Sequence, residues 1–378
     1  MLNKQSPKSS LSILCLVILL GLISAFSVSG FATSIGLIPL CVWGAVFVFI
    51  WVLLTPNKNI QLLPRGIGWI LTIVAIIMLI GVVFNYKRIA QLANYITLYG
   101  IVLWTLCFYR VDWLSIDLKN IGYVSLLMGL FFSFSFLPDR WLGGWNSNSA
   151  IVTVPLALFG AVILWMRGGR WLKILVLFSV FFLFEILWEL QNRSAQLAII
   201  IFFFLLFFDK PVVNRRWFRL FYVSVILLNV LIPLFVDVIG QSDWTSFIFD
   251  TSAQISDKAV GFNGREEVWE VEKIYIATSP ILGHNGLRHF YPHNFSMDVL
   301  CQWGWLGWCF FMVCIISILE KAFLEDSPYN LYLCVFVVLI LMNTFENSLL
   351  SNEVFTIFPF LFLSVPLCLN RYRLKKKQ

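Results

Sequence analysis

Long apolar runs, separated by short polar breaks, make up most of the chain. Because roughly 20 apolar residues form a helix that crosses a bilayer, each run predicts one transmembrane helix. The runs are 11–29, 34–55, 67–84, 89–108, 120–137, 149–166, 172–190, 195–208, 220–238, 300–319, 331–345 and 354–370. The pattern predicts an all-α polytopic membrane protein with about 12 transmembrane helices.

The composition agrees with this pattern. Of 378 residues, 60% are hydrophobic and only 12% are charged, whereas about a quarter of the residues in soluble domains are charged. A soluble enzyme is therefore excluded. The eight cysteines lie in or beside the apolar runs without a Cys-x-x-Cys pair, so we expect them to behave as small hydrophobic residues.

The basic residues predict the orientation of the chain, since Lys and Arg in short loops stay in the cytoplasm. With both termini in the cytoplasm, most of the 27 Lys and Arg residues fall on the inner side. The net charge of +7 then reflects topology, and nucleic-acid binding is not needed to explain it. The chain divides into helices 1 to 9 (1–238), a large outer, periplasmic loop (239–299) and helices 10 to 12 with a basic cytoplasmic tail (300–378).

The first apolar run has an alternative interpretation. Lys4 and Lys8 precede it and small residues near Ala25 follow, which is also the pattern of a cleavable signal peptide. We expect a retained helix, because cleavage would leave an odd number of spans and place the basic tail outside.

The outer loop 239–299 is the longest connection and carries the candidate chemistry. It contains all three histidines of the chain, His284, His289 and His293. Within it, residues 264–277 have the spacing of an amphipathic helix, and Pro280 ends it. Its apolar stripe is Val268, Val271, Ile274 and Tyr275. We expect an interfacial helix with Trp269 and Tyr275 at the level of the lipid headgroups, which leaves Arg265 in its first turn unexplained.

His293 belongs to the segment Tyr291-Pro292-His293-Asn294. Pro292 suits the first turn of a helix, so we expect His293 near the N-terminus of the helix that starts at about 295. A neutral imidazole can act as a general base there. Zinc is the alternative, since three histidines can be its ligands. Ligands at i and i+4 need one helical face, and Pro292 disfavours helix in the preceding residue, so we expect no metal.

Several basic residues at outer positions oppose the general charge bias. Arg193 follows the seventh span, and Lys87 and Arg88 begin the fourth. A lone arginine at a helix end can snorkel to the interface. Several together point to a membrane-linked diphosphate, because guanidinium groups match phosphate oxygens.

Four short segments follow one another on the outer side. They are Asn146-Ser147-Asn148-Ser149-Ala150, Asn192-Arg193-Ser194-Ala195, Gly264-Arg265-x-x-x-Trp269 with Pro280-x-x-Gly283, and Tyr291-Pro292-His293-Asn294 with Gly304-Trp305-Leu306-Gly307. In this order and on this side, they resemble the O-antigen ligase and polymerase superfamily of bacterial envelope glycosyltransferases. The resemblance covers most of the chain.

The resemblance implies a metal-independent, inverting glycosyltransferase of the inner membrane that uses no cofactor. Its donor would be an oligosaccharide on undecaprenyl diphosphate, and its acceptor a growing glycan or lipid A–core. By position, Arg193 and Arg265 would hold the diphosphate, and His293 would take a proton from the acceptor hydroxyl or orient it. The further candidates for substrate binding are Lys87, Arg88, Arg140, His284, Arg288 and Asn294. Membrane lipids and a chain-length regulator protein are the other expected partners.

The branch of the superfamily is suggested by spacing. Arg265 and His293 are 28 residues apart, and the Tyr-Pro-His-Asn segment resembles the polymerases, whereas ligases often insert a longer stretch. The resemblance therefore favours polymerisation of O-antigen or capsule repeat units over ligation. Two other classes stay open. A transporter of polysaccharide or lipid-linked sugars would carry its binding groups near the bilayer midplane, and a structural scaffold would not explain histidines clustered beside outer arginines.

Overall fold

The computed structural model describes residues 113, 118–137, 153–190, 192–208, 210–235, 265–284, 293–345 and 362–370. In these ranges every regular element is a helix. They are α1 (Leu118–Ser135), α2 (Val154–Arg167), α3 (Arg170–Glu189), α4 (Arg193–Phe207), the short α5 (Lys210–Val213), α6 (Arg215–Leu234), α7 (Arg265–Thr278), α8 (Phe295–Ala322) and α9 (Asn330–Met342). Residues 362–370 are also helical. The all-α prediction is confirmed for these ranges, and the first four predicted spans lie outside the described residues.

Four of these helices, α1, α3, α6 and α8, are long and apolar enough to cross a membrane. The helices α2, α4 and α9 are also apolar but have only 13 to 15 residues. The observed helices begin and end within a few residues of most predicted runs, as α3 does for the run 172–190. The structure is therefore that of a helical membrane protein, and the number of crossings in the whole chain stays a prediction.

The centre of the described bundle is α9, in which every residue is buried. It packs against α4 and α6. On one side of it, α1 and α2 approach closely through glycines: a Cβ at Gly129 would lie 2.5 Å from the backbone nitrogen of Ala157, and one at Gly160 would lie 2.4 Å from that of Leu126. Small residues at helix crossings are typical of membrane bundles, where packing rather than hydrophobic burial holds helices together.

The helix α8 is broken at Gly304, which has φ 63° and ψ −170°. We call the part before the break α8a (residues 295–303) and the part after it α8b (residues 305–322). The indole Nε1 of Trp308 in α8b donates a hydrogen bond to Ser296 Oγ in α8a at 3.0 Å. In a straight helix these residues would be about 18 Å apart, so α8a folds back against α8b.

A second contact shows the same fold-back. The ring centroids of Phe295 and Phe311 are 5.1 Å apart, although 16 positions in a straight helix would span roughly 24 Å. The two parts of α8 therefore form a helical hairpin with Gly304 at its apex.

The backbone groups freed at the apex are paired with the turn that follows α7. The N–H of Trp305 donates to Pro280 O at 2.8 Å, and that of Leu306 donates to Ile281 O at 3.1 Å. In return, His284 N–H donates to Cys301 O at 3.1 Å. The turn 279–284 thus replaces the helical hydrogen bonds that the break removes.

We call the contact between the turn 279–284 and the apex of the hairpin the joint. Glycine is needed on both sides of it. Gly283 and Gly304 both have positive φ, 66° and 63°. A Cβ at Gly283 would lie 2.4 Å from Gly304 N, and a Cβ at Gly304 would lie 2.4 Å from Ile281 O. The joint brings together two segments of the sequence resemblance, Pro280-x-x-Gly283 and Gly304-Trp305-Leu306-Gly307.

The other end of α6 and α8b carries ion pairs. Arg219 donates two hydrogen bonds to Glu320, at 2.7 and 2.8 Å, and Arg215 pairs with Glu325 at 2.8 Å. The same end includes the start of α9, where Asn330 donates to Val212 O at 2.7 Å. We call it the ion-pair end. Its charged residues all belong to regions predicted to face the cytoplasm.

We expect Gly304→Ala to lower the stability of the protein by more than about 1–2 kcal/mol, the cost of a left-handed backbone for a residue with a Cβ. The clash with Ile281 adds to this cost. Thermal unfolding in detergent would show a lower midpoint. Gly169→Ala is the matched control, because nothing lies within 4 Å of a Cβ there and φ is −72°. Equal midpoints for the two variants would contradict the close approach at the joint.

Candidate functional site

Arg193 occupies the first turn of α4 because Asn192 caps that helix. The side-chain oxygen of Asn192 accepts hydrogen bonds from Ala195 N at 3.1 Å and from Ser194 Oγ at 3.0 Å. The segment Asn-Arg-Ser-Ala is thus a helix N-cap. The cap holds the half-buried Arg193 at the end of α4 that lies away from the ion-pair end.

Arg265 begins α7, and the packing of Trp269 fixes that helix. Trp269 is fully buried in a cluster with Val230 of α6 and with Met297 and Leu300 of α8a. Arg265 lies one helical turn before this anchor. It is therefore held beside the hairpin that His293 precedes.

Burial, and after it the positive charge of Arg265, lowers the pKa of Arg193, so the two guanidinium groups lie within electrostatic range of each other. Both side chains are half-buried, where charges are screened less than in water. The two arginines come from separate parts of the sequence, on either side of α6. Such a pair of like charges favours the binding of an anion between or beside them.

The buried face of α7 differs from the predicted one. Trp269, Glu272 and Ile276 are buried against α6 and α8, while Val271 and Ile274 of the predicted apolar stripe are 44% and 69% exposed. Trp269 therefore packs inside the protein and does not face the lipid headgroups, while its level along the membrane normal stays a prediction. Glu272 had no signal in the sequence analysis, since a charged residue on an amphipathic helix usually faces water.

His293 precedes the N-cap of α8 and has a positive φ of 49°. The predicted position near the N-terminus of a helix is confirmed, since the helix begins at Phe295 with Asn294 as its cap. A non-glycine residue with positive φ is uncommon, and such strain persists only where neighbouring groups hold the backbone in place.

Hydrogen bonds of Asn294 keep the backbone at His293 in this conformation. Its Oδ1 accepts from Met297 N at 2.8 Å, and its Nδ2 donates to Asn229 O at 2.9 Å and to Thr344 O at 2.8 Å. Both hydrogens of the amide are thus used within the protein. Asn294 was predicted to bind substrate; its contacts make it the residue that fixes the backbone on which His293 stands.

The first backbone donors of α8 are all paired with protein acceptors. Phe295 N–H donates to Asn343 O at 3.0 Å, and Ser296 N–H donates to Asn229 Oδ1 at 3.1 Å. A helix N-terminus is often an anion site through these donors. Here they are occupied, so an anion near His293 would be held by side chains and not by these backbone donors.

Asn229 of α6 links these groups. Its Oδ1 also accepts from Ser296 Oγ at 2.6 Å, and its Nδ2 donates to Ile340 O and to Thr344 Oγ1, both at 3.1 Å. Asn229 was not among the predicted site residues. The sequence feature that could have identified it is an asparagine inside the apolar run 220–238. Polar residues within membrane spans form hydrogen bonds across helices. We call Asn229, Asn294, Ser296, Asn343 and Thr344 the buried amide network.

His284 is committed to the end of α7. Its ring stacks on Tyr275 with centroids 3.6 Å apart, and its Nε2 lies 3.0 Å from Tyr275 O. Because a carbonyl only accepts, Nε2 carries the hydrogen and donates it. This bond caps the helix, and His284 is thus a structural residue of the joint in this arrangement.

The other predicted site residues, Lys87, Arg88, Arg140 and Arg288, lie outside the described residues. So does His289, the third candidate zinc ligand. Among the residues that the structure describes, no group of three His, Cys, Asp or Glu could hold a metal ion. The remaining predicted site residues, Arg193, Arg265 and His293, lie at one end of the bundle.

Comparison with protein-family models, with curated proteins and with solved structures finds no match for this chain. The fold defines the class, a helical membrane protein.

We expect Asn229→Leu to lower stability by about 1–3 kcal/mol, because Ser296 N–H would lose its acceptor in a buried place. The measurement is the thermal midpoint, together with hydrogen exchange of the peptide that contains residues 294–297. The control is Ser224→Ala, an exposed position on the same helix. Unchanged exchange at 294–297 in Asn229→Leu would show that the network does not hold this turn.

Proposed function

We propose that the protein is an inverting glycosyltransferase of the bacterial inner membrane that uses a glycan linked to undecaprenyl diphosphate. One observation carries the proposal: two arginines from separate segments lie within electrostatic range of each other at the end of the bundle where His293 precedes α8. This is the set of side chains that the sequence resemblance implies for the reaction. The proposed donor and acceptor meet at the periplasmic face.

The arginine pair suits a diphosphate leaving group. As the bond between the anomeric carbon and the diphosphate oxygen breaks, negative charge develops on that oxygen. Guanidinium groups placed in advance stabilise such charge without reorganisation, and bound diphosphate also relieves the repulsion between Arg193 and Arg265. The free energy of the site is therefore lower with the transition state bound than with the site empty.

His293 supplies the base. The acceptor hydroxyl forms a bond to the anomeric carbon from the face opposite the diphosphate, which inverts its configuration. The hydroxyl proton passes to a ring nitrogen of His293, and the electron pair of the broken bond remains on the diphosphate. The buried amide network keeps the imidazole in place for this transfer, which requires hydrogen-bond reach.

The acceptor that we propose is the next lipid-linked repeat unit, which makes the enzyme a polymerase. The support is the short interval between Arg265 and His293 and the Tyr291-Pro292-His293-Asn294 segment. A ligase that transfers the glycan to lipid A–core is the alternative within the same chemistry.

A transporter is the second candidate, because helices broken within the membrane are typical of transporters. In those proteins the freed backbone groups bind substrate or ions. Here the groups freed at Gly304 bind the turn 279–284. This contact favours the enzyme.

We expect Arg193→Gln and Arg265→Gln each to reduce glycan transfer about 10²- to 10³-fold, the usual loss for one group that stabilises a developing oxyanion. The measurement is the ladder of envelope glycans from cells that carry the variant. Arg216→Gln is the control, since Arg216 is exposed at the ion-pair end. His293→Ala should also abolish the ladder. Normal ladders from all three site variants, with equal protein in the membrane, would refute the proposed site.

A deletion strain separates the two branches. A polymerase predicts that lipid A–core carries a single repeat unit, because ligation continues without polymerisation. A ligase predicts bare core and accumulated lipid-linked polymer. Gel electrophoresis of the envelope glycans measures both. An unchanged glycan profile would argue against either activity.

A further inference from the structure

The position of the site along the membrane normal can be measured from the ion-pair end. On α6, about 14 residues separate Arg215 from Asn229, which is roughly 20 Å of helix. On α9, about 13 residues separate Asn330 from Asn343, again roughly 20 Å. The buried amide network thus lies at one height on both helices.

The hairpin gives the same height independently. Trp308, which bonds to Ser296, is about 14 residues from Ala322, or roughly 20 Å along α8b. Gly304 is about 18 residues from Ala322, or roughly 27 Å. The chain at His293 therefore lies closer to the ion-pair end than the apex of the hairpin does. The half-helix α8a runs from His293 toward the apex.

Arg193 and Arg265 lie at about the same height as the chain at His293. Arg193 is about 14 residues from Phe207 at the other end of α4, which is roughly 20 Å. The far end of α7 joins the apex at Gly304, while Trp269 packs beside Met297 near the bottom of α8a. Arg265, one turn before Trp269, is then near the level of His293.

The exposed surface shows where lipid lies. Residues 295–302 of α8a are all buried by protein. On α6, large apolar side chains are exposed at Leu228, beside Asn229, and continue past Leu231 to Phe235, which is 52% exposed. On α8b, Leu306 at the apex is 61% exposed. An apolar outer face at and above the level of Asn229 fits surrounding lipid rather than water.

We propose that the chain re-enters the membrane before α8b. His293 lies at the bottom of this excursion, α8a rises through the outer half of the bilayer as a half-helix, and the joint at Gly283 and Gly304 lies near the outer surface. Non-helical backbone at such depth requires every donor to be paired, and the buried amide network pairs those at the start of α8a. An anion held by Arg193 and Arg265 lies below the headgroups. The membrane placement of the backbone is independent of glycosyl transfer, and only the depth of the anion rests on the proposed function.

The test is a depth measurement on the full chain in lipid nanodiscs. Nitroxide labels are attached to Leu228→Cys, Phe235→Cys and Leu306→Cys in a background without other cysteines, whose thermal midpoint matches that of the native chain. Relaxation by oxygen, which partitions into lipid, and by an aqueous nickel chelate gives the depth of each label. All three positions face outward, so the labels report the lipid boundary and not the interior of the site.

The label at position 228 should lie roughly 10 Å deeper than the label at 235, and the labels at 235 and 306 should both lie near the outer headgroups. Leu227→Cys, at a neighbouring exposed position, provides a second label at the lower level if Leu228→Cys does not fold. A label at 228 or 227 at headgroup depth, with 235 and 306 fully exposed to the nickel chelate, would place α8a above the membrane and overturn the proposal. Loss of glycan transfer has no bearing on this readout.

Discussion

The start of α8 is the constraint on which the site depends. A helix that begins within a bundle leaves its first backbone N–H groups without helical acceptors, and in an apolar environment each such group costs free energy. Asn229 and Asn294 resolve this by bonding across three helices. The same bonds hold His293 in a left-handed conformation. Stability and the placement of the imidazole therefore have a single physical cause.

The break at Gly304 follows the same logic at the other end of α8a. A hairpin in a helix frees backbone donors and acceptors, and the turn 279–284 binds them. That turn is continuous with α7, so the segment that carries Arg265 is fixed to the hairpin that carries His293. Residues far apart in sequence keep a set spacing because main-chain bonds join the elements that bear them.

The two ends of the bundle differ in how their charged side chains are arranged. At the ion-pair end, Arg215 and Arg219 lie against carboxylates, and these bonds hold α6 and α8b together. At the site, Arg193 lies near another arginine. Two positive charges near each other suit an anionic ligand, which is the physical basis of the proposed diphosphate site.

Hydrophobic periodicity alone determined the helical class and most helix boundaries in the described ranges, because apolar runs of membrane length have few other stable forms. The local signal of Pro292 also placed His293 near a helix start, whereas Arg193 was predicted only to follow the seventh span. Only the tertiary structure decided that α8 folds back at Gly304, that Trp269 is buried, and that Asn229 holds the site. These depend on contacts between distant segments, which the pattern along one chain does not contain.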